Sequence, residues 1–162
     1  MTDRPPVLPL TSTTMFSPDE AQAGMNPALA VLTNFDALMQ AHLARVFNER
    51  DGRRRLDALK ELYTDDATLF EPHAAVTGYE AISGAVDALL ANIPPDFVFT
   101  APGIAIGHNG IARLHWRAGP PNGPVAVTGT DVAHVENGRI KALYVFVDPT
   151  PREPDSTRGS TP

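Results

Sequence analysis

The chain has 162 residues, 43% of them apolar and 20% charged, with thirteen basic against nineteen acidic side chains and a net charge of −6. That length and composition fit one domain with a folded core, and the acidic balance, with Arg53-Arg54-Arg55 as its one basic cluster, argues against nucleic acid as a partner. The lack of cysteine removes disulfides, thiolate metal ligands and cysteine nucleophiles together. No apolar run is long enough for a signal peptide or a membrane span, so a cytoplasmic protein without membrane contact is the expectation.

Nine of the sixteen prolines lie near the two ends, five before residue 28 and four after residue 148. Segments 1–26 and 149–162 therefore read as tails around a domain at 27–148. Within the domain, Leu32, Phe35, Met39, His42 and Val46 recur at spacings of three and four and predict a first helix between about Pro27 and Asn48. A second, shorter helix carries Leu56, Leu59, Leu62 and Tyr63 on its buried side. Asp65-Asp66 ends it before the β-rich run Ala67–Glu71, which Pro72 closes. Gly78 precedes a third helix bearing Ile82, Val86, Leu89 and Leu90, stopped by Pro94-Pro95.

Four strands follow, at about 97–107, 111–118, 125–136 and 139–148. Asn109-Gly110, Asn122-Gly123 and Asn137-Gly138 supply three hairpin signals between them. The order ααβαββββ, ending in an antiparallel meander, makes the fold α+β, without the alternation of a βαβ protein.

Side chains of a strand alternate between faces. In the run 125–136 the odd positions are Val125, Val127, Gly129, Asp131, Ala133 and Val135, so Asp131 is the one ionisable group on an apolar face. Desolvation disfavours the charged form of a carboxyl, and on a concave inner face Asp131 could keep its proton as a hydrogen-bond donor or serve as a base near neutral pH. A structural aspartate at the rim, paired with an arginine, is the alternative.

Glu71 shares a face with Ala67 and Leu69 and ends its strand, either at the mouth or wall of the same pocket or as a solvated strand-end glutamate. Two carboxyl groups in different surroundings can divide acid and base work. His42 points from the first helix toward the interior, either as a proton donor or relay or as a core histidine bonded to a carbonyl. The remaining histidines show no metal-ligand spacing, and neither a metal nor a cofactor is expected. Arg113, His115 and Arg117 alternate on one strand face, solvated or interfacial, opposite Leu114 and an inward Trp116.

Residues 30–148 resemble the SnoaL-like and ketosteroid isomerase-like branch of the nuclear transport factor 2-like superfamily. The resemblance is carried by Leu62 to Pro72, by Val76-Thr77-Gly78 with Ala81-Ile82, and by Gly129-Thr130-Asp131-Val132 with Asn137-Gly138-Arg139-Ile140. It implies a cone of three helices packed on a curved, mainly antiparallel sheet around a pocket. By the same resemblance Glu71, before Pro72, stands where ketosteroid isomerases place the aspartate that acts as general base. Asp131 stands at their protonated oxyanion-hole aspartic acid and at the acid/base aspartate of polyketide cyclases, and His42 stands near their tyrosine donor.

The implied activity is a cofactor-independent isomerase or aldol-type cyclase moving a proton next to a carbonyl of a small hydrophobic, steroid- or polyketide-like compound. The alternative is a non-catalytic binding or dimerisation module of the same fold. Asp131, Glu71 and His42 are the expected catalytic residues. Trp116, Tyr63, Phe35, Met39 and Val127 are the expected substrate contacts, and the outer sheet face is expected to form a homodimer.

Overall fold

The structure is a computed structural model and describes residues 33–149. Three helices pack on one face of a curved, mostly antiparallel open sheet, the nuclear transport factor 2-like arrangement expected from the sequence. Helix α1 spans Phe35–His42, a π-helical turn follows at Leu43–Phe47, α2 spans Gly52–Leu62 and α3 spans Tyr79–Ala91. The strands are β1 Tyr63–Glu71, β2 Ala74–Thr77, β3 Val98–Thr100, β4 Ile106–His108, β5 Ile111–Gly119, β6 Val127–Glu136 and β7 Arg139–Val147. They run side by side in the order β2-β1-β7-β6-β5-β3, with β4 also paired to β5. Only the β1–β7 pair is parallel.

Local chemistry sets these boundaries. Asn34 caps α1 by accepting from the Ala37 N–H, and Asp51 caps α2 by accepting from Arg53 and Arg54. Asn109-Gly110 and Asn137-Gly138 form tight turns with both residues at positive φ, 49° and 78°, and 50° and 78°. Asn122-Gly123 does not. The chain there turns at Pro120, whose carbonyl accepts from Gly123 N–H, and a longer loop joins β5 to β6.

Several boundaries differ from the sequence reading, and the strand expected at 125–136 begins only at Val127, leaving Val125 exposed before it. Helix one gives way to the π turn after His42, and its expected start at Pro27 lies outside the described residues. The second helix stops at Leu62, so Tyr63 opens β1 and is not a helical residue. The segment Ala74–Thr77, to which the sequence assigns no element, pairs with β1 as a hairpin arm. The strand expected at 97–107 is two short strands interrupted around Pro102-Gly103, where proline removes a ladder donor. Of the expected tails, all but Pro149 lie outside the described residues.

The core lies between the helices and the inner face of the sheet, with Met39, Val46, Leu59, Leu69, Ile82, Leu114, Ile140 and Leu143 almost entirely buried. Arg55 joins two helices through it. Its guanidinium is 0% exposed and donates to Ser83 Oγ at 3.0 Å, to the Glu49 carbonyl and to the Asp87 carboxylate. Replacing Arg55 by Leu leaves the serine hydroxyl and that carbonyl without a donor. The expected loss is about 1–3 kcal/mol. Asp87→Asn keeps an acceptor oxygen for the guanidinium and removes only the charge of a group that faces solvent, so it should cost less than Arg55→Leu. Urea unfolding of the two variants checks the order.

Candidate functional site

Asp131 lies mid-way along β6, opposite Leu114 of β5 and Val145 of β7, on the inner face. It is 2% exposed. A carboxyl group so placed needs donors, and two elements supply them. From the last turn of α1, His42 brings Nε2 to 2.9 Å of Oδ2, and from β5 the indole Nε1–H of Trp116 donates to Oδ1 at 2.8 Å. The other imidazole nitrogen, Nδ1, lies 2.6 Å from the Tyr63 hydroxyl at the start of β1. All four side chains are buried.

The direction of each hydrogen bond follows from counting donors. Indole nitrogen can only donate, so Oδ1 accepts. The phenol of Tyr63 has the imidazole as its side-chain partner among the described residues and must give its proton there to avoid a buried unpaired O–H. Nδ1 therefore accepts, Nε2 carries the ring proton and donates to Oδ2, and Asp131 is a carboxylate accepting at both oxygens. Burial, and then the nearby Asp131 charge, push the Tyr63 phenol well above its ordinary value near 10. It remains a donor throughout the neutral range. The sequence reading left Asp131 open as a protonated donor or a base; in this polarity its carboxyl accepts at both oxygens.

Register explains how a tryptophan reaches the acid. Trp116 pairs directly with Gly129, two residues before Asp131 on the same face. A Cβ at Gly129 would lie 2.3 Å from indole Cζ2 and 2.8 Å from Cε2. Glycine thus lets the ring lie across the strand with Nε1 over Asp131. The rings of His42, Phe47, Phe99 and Trp116 follow one another edge-on at centroid separations of 5.0, 6.1 and 5.5 Å, so both donors of Asp131 are braced by one aromatic belt.

Glu71 does not join this group. Leu69 and Phe70 pair with Leu143 and Tyr144, and one further step sets Glu71 beside Val145, the residue that faces Asp131. Glu71 thus shares the inner face and the row of Asp131 two strands away, roughly 10 Å at ordinary strand spacing. It is half-buried and bonds neither His42 nor Asp131.

Of the expected substrate contacts, Trp116 and Tyr63 turn out to be hydrogen-bonding members of the cluster. Met39 is fully buried, Val127 is half-buried at the start of β6, and Phe35 packs over Gly107, where a Cβ would come within 2.5 Å of its ring. A surface groove of about 610 Å3, lined by Thr64, Asp65, Tyr79, Glu136, Asn137 and Arg139, lies by the β6–β7 turn and includes none of these residues. Among the described residues no group of three or more His, Cys, Asp or Glu could hold a metal ion. No described helix is long and apolar enough to cross a membrane.

The SnoaL-like domain family model matches residues 39–143, a span that holds all four members of the cluster. The chain belongs to the SnoaL-like domain family. Among solved structures, it is similar to a candidate isomerase of the SnoaL-like family from Agrobacterium tumefaciens, with 27% identity, a TM-score of 0.64 and coverage of 70% of this chain and 96% of that one. A candidate polyketide cyclase from Sinorhizobium meliloti matches at 20% identity and TM-score 0.52, covering 67% and 93% of the two chains. A candidate ketosteroid isomerase from Kribbella flavida matches at 14% and 0.56, covering 79% and 90%. The last two establish the fold alone. No curated protein matches the chain.

The phenol gives the cluster a pH signature. Its folded-state pKa is raised, so the native state holds the Tyr63 proton longer than the unfolded chain does. Stability is therefore flat below about pH 10 and falls as pH rises from there toward the folded value. Tyr63→Phe should remove that alkaline slope. It should also lower stability at pH 7 by about 1–3 kcal/mol, because Nδ1 of His42 loses its donor. Chemical denaturation of both proteins between pH 7 and 11 measures both effects.

Proposed function

We propose that this SnoaL-like domain catalyses a cofactor-independent proton transfer next to a carbonyl of a small hydrophobic, steroid- or polyketide-like compound, as an isomerase or an aldol-type cyclase. The observation that carries the proposal is the buried Asp131 carboxylate, held at one oxygen by His42 and at the other by Trp116. Two bonds occupy two of its roughly four lone-pair directions. A free direction can take a proton from carbon and return it to another carbon of the same molecule, or hand it on after a carbon–carbon bond forms. The reaction is redox-neutral, and atoms balance without a further reactant. An apolar surround favours it, because water does not compete for the base.

Glu71 is the second acid in this reading. On the same row, roughly two strand spacings from Asp131, it would face the opposite end of a bound ring system and supply or take the proton at the carbonyl oxygen. His42 holds Asp131 in its accepting state. Phe35, Met39 and Val127 belong to the apolar wall. The 27% identity to a candidate isomerase of the same family supports the reaction class. A second reading, a non-catalytic binding module, draws on one observation: no buried polar side-chain atom in the described residues lacks a hydrogen-bond partner, as expected of a structural core network.

Asp131→Asn decides between them. The amide keeps the shape and removes the base, so solvent deuterium incorporation next to the carbonyl of a panel of apolar ketones should fall by roughly 10²–10⁴, with binding of the same ketones little changed. Unaltered exchange, or none in the native protein, favours the binding module.

The homodimer belongs to the same proposal. Tyr144 and Phe146 of β7 are 42% and 57% exposed on the outer face, and Tyr144 stacks on Phe70 at 4.5 Å. On β5 of that face Arg113, His115 and Arg117 point outward. Guanidinium groups facing aromatic rings attract, and a two-fold axis would set the arginine strand of one copy over the aromatic strand of the other. Sedimentation at micromolar concentration should show a dimer, and Phe146→Glu should shift it toward monomer. A native monomer at that concentration overturns the assembly.

A further inference from the structure

The strongest unassigned feature is the contact between Asp131 and Trp116, the one tryptophan of the chain. Nothing in the shape of the core requires an indole there, since a phenyl ring would fill much of the same space. The nitrogen is what differs, and it is placed. Trp116 faces Gly129 across the β5–β6 ladder, its six-membered ring occupies the volume a Cβ would take, and Nε1 comes to 2.8 Å of Oδ1. Phe99, edge-on at 5.5 Å, fixes the ring from the other side.

We propose that Trp116 is a positioning residue for Asp131, its indole N–H fixing the plane of the carboxylate and holding Oδ1 as an acceptor. The inference rests on the reading of Asp131 as the base. His42 alone anchors one oxygen and leaves the carboxyl able to rotate partway about the Cβ–Cγ bond with that contact bent. The second anchor, from a different strand, removes that rotation and directs the remaining lone pairs. Because indole nitrogen has no acceptor state, this contact exists with the carboxylate in full and cannot be kept by a proton on Oδ1. It therefore disfavours protonation there, whereas a histidine or an amide at position 116 could turn and accept.

The titratable groups facing Asp131 are His42 from α1 and, behind it, Tyr63 from β1, with Glu71 on the same row two strands away. Leu114 and Val145 flank it on either side. Of the groups touching the carboxyl, Trp116 is the donor that does not itself titrate, and its removal is the cleanest way to isolate one hydrogen bond.

Carbon-detected NMR of the full chain reads this directly, with no substrate needed. In Trp116→Phe the Asp131 carboxyl should titrate at higher pH than in the native protein, because a donor to the charged form is gone. Equal midpoints in the two folded proteins overturn the proposal. Should Trp116→Phe fail to fold, the native protein supplies the second measurement. Its single indole N–H resonance should shift with pH at the midpoint of the Asp131 carboxyl, and an indole signal unmoved through that titration overturns the proposal equally. Failure of the catalytic reading is distinguishable, since it would appear as unchanged deuterium exchange in Asp131→Asn while the indole and carboxyl of the native protein still titrate together.

Discussion

The bond from His42 to Asp131 joins the two layers of the fold by a polar contact at the centre of an apolar interior. Burying a carboxylate costs several kcal/mol unless hydrogen bonds replace its water, and β6 offers Asp131 none from its own inner face, where its neighbours along the strand are Gly129 and Ala133. The donors must come from elsewhere. Helix α1 therefore has to present a side chain at one height and one angle over the sheet, and the elements around it fix that placement. Asn34 sets where α1 begins. The π turn after His42 ends in Asn48, whose amide bonds the Phe99 N–H and C=O together and ties the helix to β3. Phe99 in turn carries the aromatic belt back to Trp116.

The contacts form a closed circuit. From Asp131 it runs through Trp116, Phe99, Phe47 and His42 and returns to Asp131, with two hydrogen bonds meeting at the carboxylate and three ring contacts closing the rest. Each member is held on two sides, so no one of them can change rotamer alone. A loop of that kind suits the base proposed for Asp131, because misplacement of a reacting group by about 1 Å is enough to cost roughly a hundredfold in rate. It also explains why glycine stands at 129, where any Cβ would push the indole off the strand and open the circuit.

Parts of this arrangement can be read from the sequence because they obey local periodicity. Period two places Asp131 on the apolar face of its strand, and spacings of three and four place His42 on the inner stripe of α1. Both positions are correct in the structure. The partners are harder. The spacing of Leu59, Leu62 and Tyr63 keeps Tyr63 on the buried side of a helix that runs on to Asp65-Asp66, and nothing in the composition marks a helix that passes into a strand at Tyr63 without a glycine between. Trp116 was read as facing inward, which is right, but its bond to Asp131 depends on register. The β5–β6 loop that sets register is an irregular turn at Pro120, not the tight Asn-Gly hairpin that would have let the residues be counted across. Gly129 was the available signal, since an interior strand glycine often marks the close approach of another group. The hairpin arm β2 is not legible because the five residues between Pro72 and Gly78 are too few to show alternation.

The two faces of the sheet carry different chemistry, and the boundary between them follows the strands residue by residue. On β6, Gly129, Asp131, Ala133 and Val135 go inward while Thr128, Thr130, Val132 and His134 go outward; on β5, Leu114 and Trp116 oppose Arg113, His115 and Arg117. A one-residue slip of β6 against β5 would exchange these sets and put Asp131 outside, away from His42. The carboxylate thus resists slippage twice over, once through the apolar residues that must stay dry and once through two donors that would be left buried and unpaired. A carboxylate built into the register in this way is positioned by the same pairings that hold the sheet together.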